Sequence, residues 1–399
     1  MAQPKLIINR GQGGLGRPLA GKDHYTGLSY YSGTAGLPAG FGVDRIKQVF
    51  SIKDAEDLGI IEGDADWGVL WYHISEFFRL QPKGVLWVQI NDATIGTIPD
   101  IDLHDFAEIT TLRRDADGEI RQIGVFQVEK PLAIAQVNAL QAQVTAAAAE
   151  DMPLSIIYGS DISGVADLST LPDMRSLTAA GVSVVIGEDG GAKGAALAVS
   201  TSASVTTLGA TLGAVSFAAV NESIAWVEKF NLVTGSELEL AAFANGDLLK
   251  TKASSFLDAL NDKGYIFLRK FSNIGLAGTY HNDSPSAITE TSDFAYIENN
   301  RTIDKAIRNI RAFLTPKLNS PLVVQSNGSL FEDTIAVFDS LTRQALNQMA
   351  ISQEVSAFDV IIDPSQNVLS TSKIFISVKI VPVGVARTIE FEVGYALNV

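Results

Sequence analysis

From residue 85 onward, short apolar runs alternate with stretches of helical spacing. VLWVQI (85–90) predicts a buried strand, LHDFAEITTLRR (103–114) a helix and IRQIGVFQV (120–128) a strand. Pro131 then opens an Ala-rich helix in LAIAQVNALQAQVTAAAAE. LSIIYG (154–159) and VSVVIG (182–187) predict two more strands, with a helix-like LSTLPDMRSLTAAG between them. Strand and helix in turn predict a βαβ region with a parallel or mixed sheet.

The last third has a different rhythm. SSFLDALNDKG (254–264) predicts a helix and leads to YIFLRKF and a Gly-rich turn. In IENNRTIDKAIRNIRAFLTP, Ile303, Ile307, Ile310 and Leu314 share one face and Pro316 stops the helix. A second amphipathic helix covers about 330–349. Ile374, Ile376, Val378 and Ile380 then alternate with Lys373, Phe375, Ser377 and Lys379, and Ile389, Phe391 and Val393 repeat the period. These are strands with one apolar face. The glycine-rich stretch 11–42 reads as an extended arm with turns.

Composition narrows the function classes. The 399 residues leave room for two or three domains. Hydrophobic content of 46% and charged content of 19% are those of a folded protein. A mean hydropathy of +0.18 fits a chain that buries surface in partners. The net charge of −15 argues against wrapping nucleic acid or lying on an anionic membrane. No cysteine is present, which excludes disulfides, thiolate metal sites and a Cys nucleophile. MAQPKLIINRG lacks the basic and apolar regions of a signal peptide. Gly194 to Val220 carries no charge, yet its Ser, Thr, Ala and Gly make poor lipid contact, and Gly209-x-x-x-Gly213 suits a tightly packed buried helix.

One motif invites an enzyme reading. Leu6-Ile7-Ile8 runs into Gly11-x-Gly13-x-x-Gly16, the spacing of a dinucleotide-binding loop. Such a loop needs a helix directly after its third glycine. RPLAGKDHYTGL has no helical period, and Asp23 stands where a P-loop needs a hydroxyl. A nucleotide-binding α/β enzyme using the Gly11–Gly16 loop is the alternative function, and an arm with turns is the plainer reading. Asp115-Ala116-Asp117-Gly118-Glu119 would require Arg113 as a calcium ligand, so it is a turn. His24, His73, His104 and His281 have no metal spacing, and no GxSxG elbow occurs. No catalytic, cofactor or metal site is assigned.

The termini carry the less common signal. KLIIN places Lys5, Leu6, Ile7 and Ile8 in a terminal apolar strand, and TIEFEVGYAL (388–397) does the same at the other end. An unpaired apolar strand offers a free edge to other chains. Each strand either pairs within its own sheet or is donated to a neighbouring subunit.

Five further segments follow one another in order: VDRIKQVFSIKDAEDLGI (43–60), LWYHISEFFRLQPKGVLWVQI (70–90), LNDKGYIFLRKFSNIGLAGTYHNDSP (260–285), YIENNRTIDKAIRNIRAFLTPKLNSP (296–321) and KIFISVKIVPVGVARTIEFEV (373–393). In that order the sequence resembles contractile phage tail sheath proteins and related injection-system sheaths. Gln81-Pro82-Lys83-Gly84 replaces the family's glycine pair, and Leu276-Ala277-Gly278-Thr279 departs from its Trp-Gly and Arg-Thr.

The resemblance implies an α/β (α+β overall) protein. It would have an N-terminal arm (1–25), an outer βαβ-type domain (26–250) and an inner, tube-facing domain (251–399) ending in a strand arm. It implies a non-enzymatic subunit of stacked hexameric rings in a six-fold helical polymer, contracting to drive a tube through an envelope. The implied partners are the inner tube, baseplate and tail terminator proteins, with no cofactor, nucleic acid or membrane insertion, in a virion tail assembled in the host bacterial cytoplasm. Glu332, Asp333, Asp339 and Arg343, on exposed faces of the 330–349 helix, are the expected tube contacts. A static structural protein of the same architecture is the third reading.

Overall fold

The computed structural model describes residues 21–32, 36–92, 105–233, 235–271 and 274–395. Its first element overturns an expectation. Tyr25–Ser32 (β1), assigned by sequence to a glycine-rich arm, is an inner strand with all but its first residue buried. Gly27 explains the misreading. A Cβ there would lie 3.1 Å from Leu112 and 3.2 Å from Ile120 and Ile123, so the glycine serves packing.

Ile46–Val49 (β2), Val85–Asp92 (β3), Gln122–Pro131 (β4), Ser155–Asp161 (β5), Val182–Val185 (β7) and Tyr265–Ile266 (β10) complete a seven-stranded sheet, order β10-β7-β5-β4-β1-β3-β2. All neighbours are parallel except β2 against β3. Leu28, Tyr30, Val88, Ile123, Val125, Ile156, Tyr158 and Val184 are buried, as near-continuous apolar strands between two helical layers must be. Pro131 closes β4 rather than opening a helix, because it still pairs with Asp161. Ile134–Ala149 (α4) starts later, where the Gln136 side chain accepts from the Ala133 N–H.

The layers follow from strand alternation. Gly27 and Ile123 are register partners facing Leu112 of Glu108–Asp115 (α3). Gly124 is the next residue and faces Leu212 of Leu208–Phe217 (α6), so α3 and α6 cover opposite faces. Ile52–Asp57 (α1) leads into Gly68–Leu80 (α2), which packs on α6. A Cβ on Gly209 would sit 2.3 Å from the His73 carbonyl oxygen, and one on Gly213 2.8 Å from that of Phe77. The two glycines let the helix backbones meet.

The single buried helix expected across 194–220 is instead Lys193–Thr201 (α5) and α6, parted at Ser202 in the left-handed region. Hydrogen bonds to other parts of the chain hold the break: Ser204 Oγ donates to the Ala244 carbonyl, and the Val205 N–H donates to Glu188 at 2.9 Å. The helix-like 168–181 stretch is two 3-10 turns and Thr178–Ala179 (β6), which pairs with Ala287–Ile288 (β13). Gly187–Asp189 (β8) pairs with Ala241–Phe243 (β9).

The main core does not stop near residue 250. Beyond Ser254–Asp262 (α7), β10 completes the sheet, Leu268–Phe271 (β11) and Leu276–His281 (β12) form a hairpin, and the core runs on through Ala287 and Ile297. A second, small core follows. It contains Ala306, Leu346, Met349 and Val355, contributed by Ile297–Leu314 (α8), Glu332–Ile351 (α9) and the hairpin of Val355–Ile361 (β14) and Ser377–Pro382 (β15). Val368–Thr371 (α10) lies in the hairpin connection.

Candidate assembly surface

α8 joins the two cores with its charged side inward. Its buried residues include Glu298, Arg301 and Thr302, while in the Ile row Ile307 is exposed and Ile310 packs on the small core. Arg301 donates to the Ala218 and Ala219 carbonyls at 3.2 Å and to the Asp23 carbonyl at 3.3 Å. Lys305 holds the Asp23 carboxylate at 2.7 Å and Glu354 at 2.5 Å. Arg308 approaches Asp23 at 3.7 Å, and Arg311 pairs with Asp151. Burial pushes the Asp23 carboxyl up, but Lys305, Arg301 and Arg308 outweigh it and leave it below its ordinary range. Asp304 goes the other way, pushed up to about 6 by burial. Asp23 follows the N-terminal segment directly, so the root of that segment is bolted to α8.

The module beyond α8 is built differently. β14 and β15 form a two-stranded sheet with both outer edges unpaired among the described residues. Phe358, Val378 and Ile380 pack on the small core, while Ile361 and Val381 are exposed. Arg343 pairs with Asp339 one turn back on α9 at 2.9 Å and joins the helix to the hairpin through Asp359 at 3.0 Å and the Val360 carbonyl at 3.1 Å. Asp339 and Arg343 are therefore half-buried and paired, not free on an exposed face as expected. Glu332 and Asp333 are exposed in the first turn of α9, where negative charge suits the helix dipole.

Past Pro382 the chain runs to Tyr395 without a ladder partner among the described residues. Ile389, Phe391 and Val393 are 80–85% exposed. Lys5, Leu6, Ile7, Ile8 and the Gly11–Gly16 loop lie outside the described residues. One side chain ties the C-terminal segment down. Arg387 Nε donates to both Asp283 oxygens at 3.0 and 3.1 Å, and Nη2 donates to Glu298 at 2.6 Å. Its guanidinium lies 3.3 Å from the centre of the Tyr296 ring. Sequence reasoning passed over Arg387, although it is the one basic residue after Lys379.

In doubly wound sheets, ligands usually occupy the crevice beyond the carboxyl ends of the strands. Here the chain itself covers β5 and β7: Ser204 N–H donates to Asp161, and Thr207 N–H to the Gly187 carbonyl. Thr206 and Leu208 pack so closely on Gly159 that a Cβ there would meet Thr206 Oγ1 at 2.5 Å. Among the described residues no three His, Asp or Glu side chains are grouped to hold a metal ion, and no helix is long and apolar enough to cross a membrane.

Two family profiles match the chain: DUF2586, N-terminal domain, over residues 4–285, and DUF2586, C-terminal domain, over 293–399. No curated protein matches its sequence. Solved structures similar to the whole chain include chains of the anti-feeding prophage. A chain of its contracted helical sheath is 15% identical, with 100% of this chain and 99% of that chain covered at a TM-score of 0.63. A chain of its six-fold symmetrised baseplate is 14% identical, covered fully on both sides at 0.63. A chain of the contracted-state baseplate is 14% identical, also covered fully, at 0.59. At such identity the likeness is one of fold.

Proposed function

The chain belongs to the DUF2586 family and has the fold of contractile-sheath chains; from that premise we propose that it is the structural subunit of a contractile tail sheath. In this reading it stacks as six-membered rings around an inner tube, between baseplate and terminator, in a phage tail or phage-tail-like assembly. The observation that carries the reading is the hairpin β14–β15, open at both edges among the described residues, beside an apolar segment that has no ladder partner among them. An isolated two-stranded hairpin is marginal in water and gains stability from added strands. The apolar sequences 5–8 of one neighbour and 389–393 of another would supply strands of the right kind. Each added backbone hydrogen bond contributes roughly 0.5–1.5 kcal/mol, and a polymer repeats that gain at every subunit. The body faces outward, and α9, with Glu332 and Asp333, faces the tube.

Negative-stain electron microscopy of the concentrated full chain tests this, beside versions lacking residues 1–16 or 384–399. Long striated tubes that vanish on either truncation support donated strands. Tubes that survive both truncations sink strand donation, and a single tube geometry under every condition favours a static structural protein. Dispersed particles that are stabilised by nucleotide would favour the Gly11–Gly16 alternative.

A further inference from the structure

Between β15 and the unpaired segment, one arginine occupies a pocket made for it. Glu298 is 3% exposed and Asp283 14%, and both face the Arg387 guanidinium. Ser284 Oγ donates to the second Glu298 oxygen at 2.7 Å and lies 3.5 Å from Arg387 Nη2. Tyr296 supplies an aromatic wall. Two carboxylates and a ring around one planar cation are a guanidinium site, which a lysine cannot fill in the same way. Asp283 and Ser284 follow β12, and Tyr296 and Glu298 open α8, so the pocket belongs to the rigid body. Arg387 belongs to a segment that has no ladder partner among the described residues and is otherwise largely exposed.

We propose that Arg387 is a releasable clasp that sets the reach of the C-terminal arm. Closed, it roots the arm at residue 387. Open, it roots the arm at Pro382, the last residue of β15. The five residues 383–387 then join the tether and add roughly 17 Å at about 3.3–3.6 Å each. A strand held by a neighbour stays held while the subunits move, because the slack comes from the clasp. The significance of that slack rests on the strand-donation reading; the clasp itself is a property of one subunit.

Trypsin reads the clasp in the full chain below its assembly concentration. Cleavage after Arg387 needs its side chain free, so the release rate of residues 388–399 follows the open population. The expected result is slow release from the wild type and release faster by on the order of tenfold from Asp283→Asn, since hydrogen bonds to charged groups are the strong ones. Equal rates overturn the clasp. A second measurement avoids any folding defect of that variant. The cysteine-free chain accepts nitroxides at Asp293→Cys and Thr388→Cys. Their distance distribution is expected to be narrow, and to broaden with Arg387→Lys. An unchanged width also overturns the clasp. Both readouts are independent of tube formation, so absent tubes would sink the sheath reading alone.

Discussion

The body and the C-terminal module solve the same problem in opposite ways. In the body, every inner strand has a neighbour on each side, and both faces of the sheet lie under helices. In the module, two strands share one face with α9 and leave two edges open. The body's core runs from Leu28 to Ile297, while the module's rests on four fully buried residues. A subunit that must hold its shape while its connections change would divide itself in this way: rigidity where all backbone groups are paired, capacity where they are not.

The sharpest way to break the comparison is to disturb the body's tightest contact. Gly209→Ala places a methyl against His73 backbone atoms at 2.3 and 2.7 Å, and backbone cannot rotate away. Overpacking of this kind costs about 1–3 kcal/mol, and this site belongs at the upper end. Urea unfolding of the free subunit should lose that much. A loss below about 0.5 kcal/mol, within the range of ordinary surface substitutions, would mean that the α2–α6 contact yields, and that the body is less rigid than the contrast requires.

Buried titrating groups give the next effect. Burial pushes Glu188 up to about 8 and Asp304 up to about 6, and it lowers His73 to about 3 and His281 to about 4. Raised carboxyls stabilise the fold below the ordinary carboxylate range and lose that contribution as pH rises through their folded values. Lowered histidines act in reverse, losing stability as pH falls from about 6.5 toward their folded values. Between about pH 4.5 and 6 the two kinds oppose each other, so the net slope should be shallower than either kind gives alone. From about 6.5 to 8 Glu188 acts without the histidines, and stability should fall by about 1.4 kcal/mol per unit, roughly 2 kcal/mol in all. Glu188→Gln keeps an acceptor for the Val205 N–H and should flatten that fall. A slope that persists in the variant would assign it to another group, with Glu237 and Glu298, both raised by burial, as the next to test.

The legibility of the sequence divides along the same line. β3, β5 and β7 were readable because strands buried on both faces are apolar throughout. β1 was not, because Gly27 and the polar residues of YTGLSYYS mask its pattern, and Ser29 is satisfied by Gln89 across the sheet at 2.8 Å. α8 was placed correctly as a helix, but the pairs that Lys305 makes with Asp23 and Glu354 were hidden, because those partners are distant in sequence. The Asp339–Arg343 pair was visible at helical spacing, but Asp359 joins it from a distant strand. Arg387 drew no reading from the sequence because its partners lie 89 and 104 residues away.

The smallest expected effect probes the module from inside. Val378 is half-buried, packs against the small core and pairs with Val360. Val378→Ala removes two methyl groups from a site that water already reaches, so the free subunit should lose about 1 kcal/mol or less. The body should be indifferent, because its core shares none of these atoms. In a polymer the same valine would lie within a widened sheet, where added strands bury what the free hairpin leaves exposed. Its loss should then cost more per subunit than in isolation, seen as a higher critical concentration for tube formation at nearly unchanged melting temperature. A substitution that lowers both equally would mean that β14–β15 is already in its final environment in the single chain, and the open edges would lose their role as the places where neighbours join.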